Sequence, residues 1–300
     1  MRDTAISSAS PCAICGGTAA VVVQAALRYD YAGTVVRCVG CDLVYLDPPM
    51  SPEEERRFYE DEYGVIFADE KGISAEDLYS KQLPAATTYL SWCRDRLRST
   101  DSCLEIGCAS GYFMDQIKPL VARVDGCESH GILRQFCRDR GYDVYADIRE
   151  CISTYDRIFL WFVFEHIGAP HEFLSSLKAR LNPGGEIILL VPNVNDPLLT
   201  VYDIPAFRKF YFTPAHQFYY TPESLTAICA ANGLACDWRL EQRYDLGNHT
   251  HWLQHGRPGG QGARPDVFTE AMTAEYRRAL LESGRADAII AVLTARTEAT

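Results

Sequence analysis

The sequence predicts an α/β fold built on a mostly parallel sheet, preceded by a small zinc ribbon. Three observations predict it. From residue 102 onward, apolar strand-like segments alternate with segments of helical apolar spacing. A glycine-rich turn follows the first of those strands and opens a helix. Near the N-terminus, four cysteines fall into two Cys-x2-Cys pairs.

The chain is 300 residues long, 47% apolar and 11% aromatic, enough for one medium domain plus a small module. No apolar run reaches the roughly 18 residues of a membrane span. "MRDTAISSAS" has no apolar stretch behind its charges, so a cytoplasmic location and no membrane partner are expected. The formal net charge is −11, with no dense basic stretch, which argues against nucleic acid as substrate. Without a secretory signal, the 12 cysteines read as thiols or metal ligands rather than disulfides.

Cys12, Cys15, Cys38 and Cys41 make Cys-x2-Cys, a spacer of 22, then Cys-x2-Cys. Two such knuckles offer four thiolates, a tetrahedral sulfur set suited to a structural zinc. The spacer segments "AAVVVQAAL" and "GTVVRC" read as ribbon strands, placing the ribbon at 1–46. A helical linker at 47–98 follows. Ser51 is an N-cap, Pro52 suits the first helical position, and Glu53 to Glu55 favour the positive helix start. A second helix is expected from Leu83 to Leu97.

In the main domain, "SCLEIG", "ARVDGCE", "YDVYAD", "DRIFLWF" and "GEIILLVPN" read as buried strands. "GYFMDQIKPL", "GILRQFCRDRG" and "HEFLSSLKARL" read as the helices between them. Ligands of such sheets bind at the carboxyl ends of the strands. The turn in "CLEIGCASGYFMDQI" departs from the dinucleotide pattern G-x-G-x-x-G and lacks the Lys-Ser/Thr of a P-loop. Glu105 sits inside it, where phosphate oxygens would be repelled. Glu128 follows Gly111 by 17 residues, the usual place for a carboxylate that accepts ribose hydroxyls. A ligand with a ribose and a cationic amino group, but no phosphate, fits this charge pattern better than a dinucleotide.

Taken in order, "CAICG…CVGC", "LEIGCASGYF", "VDGCE", "YDRIFLWFVFEHI", "LNPGGEIILLVPN" and "AHQFYYTPESL" resemble a class I S-adenosylmethionine (SAM)-dependent methyltransferase with an N-terminal zinc ribbon. The resemblance covers most of residues 12 to 240. It implies a Rossmann-like seven-stranded sheet of order 3-2-1-4-5-7-6, strand 7 antiparallel, within 99–300. "ACDWRLEQRY" and "ADAIIAVLTAR" would supply the last strands, and insertions are expected at 194–222 and 244–266. It implies SAM as cofactor, with Glu105, Gly107 and Gly111 on the first SAM motif and Ala109 where many members carry a third glycine. Tyr112 and Ser129 flank the motif and the ribose acid, and Glu128 is that acid. Asp147 falls near the adenine, or caps a helix as a solvated residue. Trp161 and Phe162 would floor the cofactor pocket.

Methyl transfer from a sulfonium requires alignment of acceptor and methyl, and a base when the acceptor is a hydroxyl or activated C–H. Three sets of residues offer one. His166, with Glu165 beside it in "FEHI", stands just past the fourth strand; the alternative is a helix cap. His216 lies in the first insertion with Tyr219 and Tyr220, as pocket or packing. Residues 243–262 form a histidine-rich loop whose Asn248, His249, His251, Trp252 and His255 suggest a substrate lid, a structural loop or, less simply given the spacing, a metal set. His171, after Pro170 at a helix start, is expected to be exposed. The leading reading is methylation of a small molecule, a sugar, nucleotide sugar or natural-product intermediate. An RNA or protein methyltransferase docking through its ribbon, and a SAM-binding protein without activity, are the other readings. Carbon, oxygen and nitrogen acceptors all remain open, as does the oligomeric state.

Overall fold

The computed structural model describes residues 5–6, 9–58, 74–263 and 267–296. The chain forms two sheets. The smaller begins with β1 (Ala5–Ile6), β2 (Ala20–Gln24), β3 (Thr34–Cys38) and β4 (Val44–Asp47), all antiparallel. β2 and β3 lie within the two segments that read as ribbon strands. α1 (Pro52–Arg57) follows, and Ser51 caps it: its hydroxyl accepts the Glu54 N–H while the Glu54 carboxylate accepts the Ser51 N–H at 2.8 Å.

α2 (Ala75–Cys93) starts well before the expected Leu83 and ends short of Leu97. Ser74 supplies the cap by accepting the Asp77 N–H at 3.1 Å, and the helix runs on through Pro84. The expected end, Leu97, lies just past a 3-10 turn at Arg94–Arg96.

The large sheet contains β5 (Ser102–Ile106), β6 (Arg123–Cys127), β7 (Val144–Tyr145), β8 (Tyr155–Trp161) and β9 (Leu181–Pro192) in parallel. α3 (Tyr112–Ile117), α4 (Gly131–Asp139) and α5 (Pro170–Lys178) lie between them in the chain. The insertion after β9 holds α6 (Pro197–Thr200), α7 (Pro205–Tyr211) and β10 (Phe218–Tyr219). α8 (Pro222–Ala231), β11 (Leu234–Glu241), α9 (Leu246–His255), α10 (Glu270–Glu282) and β12 (Ala288–Ala295) complete the described chain.

The sheet order is β11-β12-β9-β8-β5-β6-β7, with β12 antiparallel to both neighbours. Numbered within this sheet alone, that is 6-7-5-4-1-2-3, the predicted order read from the other edge. The core explains the alternation seen in sequence. Leu104, Ile158, Ile187, Leu189 and Ile289 pack with α5 and α8 on one face, while Cys103, Phe159, Ile188 and Ile290 pack with α2 and α3 on the other. Strands covered on both sides have no solvent face, so they read as continuous apolar runs.

Sequence periodicity gave no sign of how the ribbon is completed. β10 joins the small sheet as its fifth strand, with Phe218 opposite Tyr45 and Tyr219 opposite Val44. Val44 and Leu46 are buried in a cluster with Leu198, Phe207 and Tyr219, and Tyr45 in one with Phe218 and Tyr220. No helix among the described residues is long and apolar enough to cross a membrane.

Candidate functional site

The first turn of the large sheet is built by backbone constraint. Gly107 has φ +68°, and a Cβ there would lie 2.6 Å from Cγ2 of Val163, so β8's exit passes directly over it. Gly111, at φ +76°, caps α3, where a Cβ would press on Cys137 Sγ and Met114 Cε at 3.1 Å. Between them Ala109 also sits in the left-handed region, at φ +47°, a strained conformation for a residue with a Cβ. That geometry turns its N–H onto Glu128 Oε2 at 2.9 Å.

Glu128 ends β6. Its other oxygen accepts the His130 N–H at 2.8 Å, so two backbone donors fix the carboxylate. Burial nonetheless pushes its pKa up. Glu105, at 1% exposure, is more isolated: its Oε2 has no partner. Burial, reinforced by Cys137 and Glu128, pushes its pKa well above the usual carboxylate range. A buried acid lacking a partner is costly unless a cation meets it. The donor set therefore fits a ligand with an ammonium group at Glu105 and hydroxyls at Glu128. Beside them, Trp161 is buried with Nε1 unpartnered, and its ring stacks on Tyr89 of α2 at 4.7 Å between centroids.

Past β8 the chain turns sharply at Phe162, φ +57°, into a 3-10 turn at Phe164–His166. Glu165 is 1% exposed and neither carboxylate oxygen has a partner; burial raises its pKa to about 8. Burial lowers His166 to about 4, opposed by a hydrogen bond to the Ala215 backbone. Burial also pushes His216 well below 6.5, with His166 and Arg28 adding to the shift. His166 Nε2 lies 3.9 Å from Glu165 Oε1. With both imidazoles held neutral, this is a contact between polar groups rather than an ion pair. The two imidazole rings meet edge to face, 4.7 Å apart.

The insertion delivers His216 to this place through its backbone. Gln217 N–H donates to the Glu165 carbonyl at 2.9 Å, and the Gln217 carbonyl accepts from Leu46 of β4 at 2.9 Å. The ribbon, the insertion and the end of β8 are thus pinned at one residue.

Several residues that sequence reasoning passed over complete the surroundings. Arg243, just past β11, is paired with Asp287 at 2.8 Å and stands 4.3 Å over the Phe162 ring. Tyr211 of α7 is half-buried, with a buried, unpartnered hydroxyl, and shares its electrostatic environment with Asp196, Glu165 and Arg243. Arg243 follows a strand end, the same positional cue that singled out Glu128. Tyr211 carries no sequence signal of this kind.

Other expected site residues lie elsewhere or are committed to partners. Asp147 caps the turn at Ile148–Glu150 and is gripped by Arg149, which holds its pKa below the usual range. Ser129 is exposed. Tyr112 is buried against Tyr89. The Tyr219 hydroxyl bonds the backbone of Thr213 in both directions at 3.0 Å. Tyr220 stacks on Phe164 at 5.2 Å.

The histidine-rich segment is not a loop. Asp245 caps α9 by accepting the Asn248 N–H, and Gly256 ends it in the left-handed region. Asn248 donates to the Gly259 carbonyl at 2.8 Å, and His249 Nδ1 lies 2.7 Å from the Tyr276 hydroxyl. His251 packs beside His255, 4.4 Å between rings. Trp252 is buried under α7 against Phe207. His171, expected to be exposed, is half-buried: its ring bridges the Ala13 carbonyl of the first knuckle, at 2.6 Å, and Asn232.

The four cysteines converge. Cys12 and Cys41 Sγ lie 3.3 Å apart, Cys15 and Cys38 Sγ 3.4 Å, and all four sulfurs fall within 4.8 Å. A zinc with bonds of about 2.3 Å needs sulfurs roughly 3.8 Å apart. The Ile14 and Gly40 N–H groups point at Cys12 and Cys38 sulfur, at 3.4 and 3.3 Å, as donors to thiolate. The set fits a structural tetrahedral ion.

Residues 76–237, more than half of the chain, match the family model described as a methyltransferase domain. Among solved structures, the Haloferax volcanii protein solved with the Trm112 methyltransferase activator is 16% identical, with a TM-score of 0.51 over 74% of this chain and 96% of that one. A SAM-dependent methyltransferase from Archaeoglobus fulgidus is 16% identical, with a TM-score of 0.48 over 78% of this chain and 99% of that one. The plantazolicin methyltransferase BamL is 13% identical, with a TM-score of 0.48 over 82% and 97%. At these identities the Haloferax likeness speaks to the fold. No curated protein matches the chain by sequence.

Proposed function

The chain belongs to the methyltransferase-domain family, and on that premise we propose that it moves the methyl group of SAM to a small-molecule acceptor, a sugar, nucleotide sugar or natural-product intermediate. The observation that carries this reading is the pair of acids at the ends of β5 and β6. Glu105 is buried without a partner for Oε2, and Glu128 is locked by two N–H groups with acceptor capacity to spare. An amino acid ammonium at the first and ribose hydroxyls at the second satisfy both. Gly107 and Ala109 bring the backbone close to that ligand, and Trp161 and Phe162 floor the pocket.

At the acceptor end, Glu165, His166 and His216 supply the polar groups that handle the proton of an O–H or activated C–H. Arg243, paired with Asp287 and lying over Phe162, borders the site with a guanidinium able to donate hydrogen bonds to an acceptor. In this reading a zinc at Cys12, Cys15, Cys38 and Cys41 is structural, because all four positions are filled by sulfur.

The test is direct. The protein is incubated with SAM and panels of sugar nucleotides and pathway intermediates, and mass spectrometry seeks the gain of one methyl. Methylation of protein or RNA substrates, with every small molecule untouched, would replace this reading with another. SAM binding without transfer to any acceptor would point to a non-catalytic binder.

A further inference from the structure

Three donors outside the cysteine cluster also converge. One carboxylate oxygen of Glu165 and one nitrogen each of His166 and His216 lie within 4.8 Å of one another. Among the described residues, this is the one such group besides the four cysteines. We propose that Glu165, His166 and His216 form a second metal site, which binds one divalent first-row ion of the zinc type and keeps positions open for an acceptor oxygen.

Four observations support the site. First, both Glu165 oxygens and His216 Nδ1 are buried and have no hydrogen-bond partner. Buried polar atoms are rarely left so, and an ion held by the Glu165 carboxylate would give it a partner. Second, the spacing suits an ion after small side-chain rotations. His166 Nε2 and Glu165 Oε1 are 3.9 Å apart, against roughly 3.4 Å for two donors on a tetrahedral ion with bonds of about 2.1 Å. Third, the backbone presets the ligands. Two come from a single 3-10 turn, and the third is registered on that turn by the Gln217 N–H bond to the Glu165 carbonyl. Fourth, the His166 ring is hydrogen bonded to the backbone of Ala215. A bond from one ring nitrogen to the backbone orients an imidazole whose other nitrogen holds an ion.

Two imidazoles and one carboxylate leave positions open, in contrast to the closed four-sulfur set. A redox-inert ion is the economical choice, since methyl transfer moves no electrons between substrate and metal. A hydroxyl bound there would be acidified. The metal site deepens the acceptor-site reading above and rests on it for its role, while metal binding itself is measurable without turnover.

The experiment uses the full chain, stripped of metal and titrated with Co2+, then reconstituted with zinc and analysed by plasma mass spectrometry. Two equivalents are expected. One gives intense thiolate-to-cobalt charge transfer from the cysteines, and the other gives only weak visible bands. Zinc content should be two per chain, falling to one in His216→Ala and in the near-isosteric Glu165→Gln. Cobalt saturating at one equivalent, with the thiolate signature alone, would overturn the proposal on the wild-type chain, whatever the variants do. SAM titration on the same samples separates the two readings. SAM binding with one metal overturns the second site only. Two metals without SAM binding support the site and remove the methyltransferase reading.

Discussion

The N–H of Gln217 donates to the carbonyl of Glu165 at 2.9 Å, while the Gln217 carbonyl accepts from Leu46 in the small sheet. One residue therefore connects the cysteine module to the turn that carries Glu165 and His166, and positions His216 as its neighbour. The module serves as part of the scaffold of the proposed acceptor site.

This connection predicts separable effects of losing the metal proposed at the four cysteines. Cys38→Ser should lower the melting temperature and reduce methyl transfer at least tenfold. SAM affinity, which we assign to Glu105 and Glu128 on the far side of β8, should change much less. Calorimetry of SAM binding alongside a transfer assay checks this; equal losses in both would show that the module supports the whole domain rather than the acceptor end.

Glu128→Ala removes the carboxylate proposed to hold the ribose hydroxyls, and Glu105→Gln removes the charge opposite the ammonium. Charge-assisted hydrogen bonds contribute about 1.5–3 kcal/mol, so each variant should weaken SAM binding by roughly 10- to 100-fold. An unchanged dissociation constant for both would place the cofactor elsewhere.

His166→Ala should lower the transfer rate by about 100-fold or more, the range typical of groups that assist proton removal, while SAM binds as before. If turnover survives and His216→Ala abolishes it, the acceptor's proton is handled from the insertion.

Gly107→Ala tests the crossing of β8 over the first turn. The added Cβ meets Val163 Cγ2 at 2.6 Å and occupies φ +68°. A loss of about 1–3 kcal/mol is expected from overpacking and backbone strain. Adding Val163→Ala should return the overpacking part only. Urea titration of the single and double variants measures both.

His249 gives a pH dependence whose sign is fixed. Burial holds its pKa down to about 4 in the folded chain, against about 6.5 when unfolded. Between those values the unfolded chain binds a proton that the folded chain does not. Its contribution to stability is complete above about pH 6.5 and is lost as pH falls towards about 4, at up to about 1.4 kcal/mol per unit. Unfolding free energies of wild type and His249→Gln, compared in steps through that window, should show the shallower slope for the variant. Parallel slopes would mean that His249 titrates normally.

Much of this molecule was legible because its signals are local. The strands of the large sheet read as apolar runs, since each is covered on both faces. Gly107 and Gly111 announced a turn, and two Cys-x2-Cys pairs announced their own cluster. Glu105, Glu128, Glu165 and His166 were singled out by their places at strand ends. What escaped depends on distant partners. A two-residue strand at Phe218–Tyr219 has no periodicity to detect, so its pairing with β4 was invisible. Arg243 matters through Phe162 and Asp287, far from it in sequence. The helix at Leu246–His255 had its signals in plain view, Asp245 before it and Gly256 after it. The glycines beyond it and the density of histidines drew the reading towards a loop. His171 looked exposed because its partners, Ala13 and Asn232, lie 158 and 61 residues away in the chain.

The pairing of Tyr45 with Phe218 also sets an order of assembly. During synthesis, the cysteine knuckles leave the ribosome long before the strand that closes their sheet exists. Until residue 219 emerges, β4 presents Val44, Tyr45 and Leu46 on an open edge, the kind of edge that recruits strands from other chains. A nascent chain whose four cysteines had already gathered would therefore still carry an open, adhesive edge. A fragment ending at residue 46 would stop there permanently, which makes it a poor stand-in for the module in the intact chain.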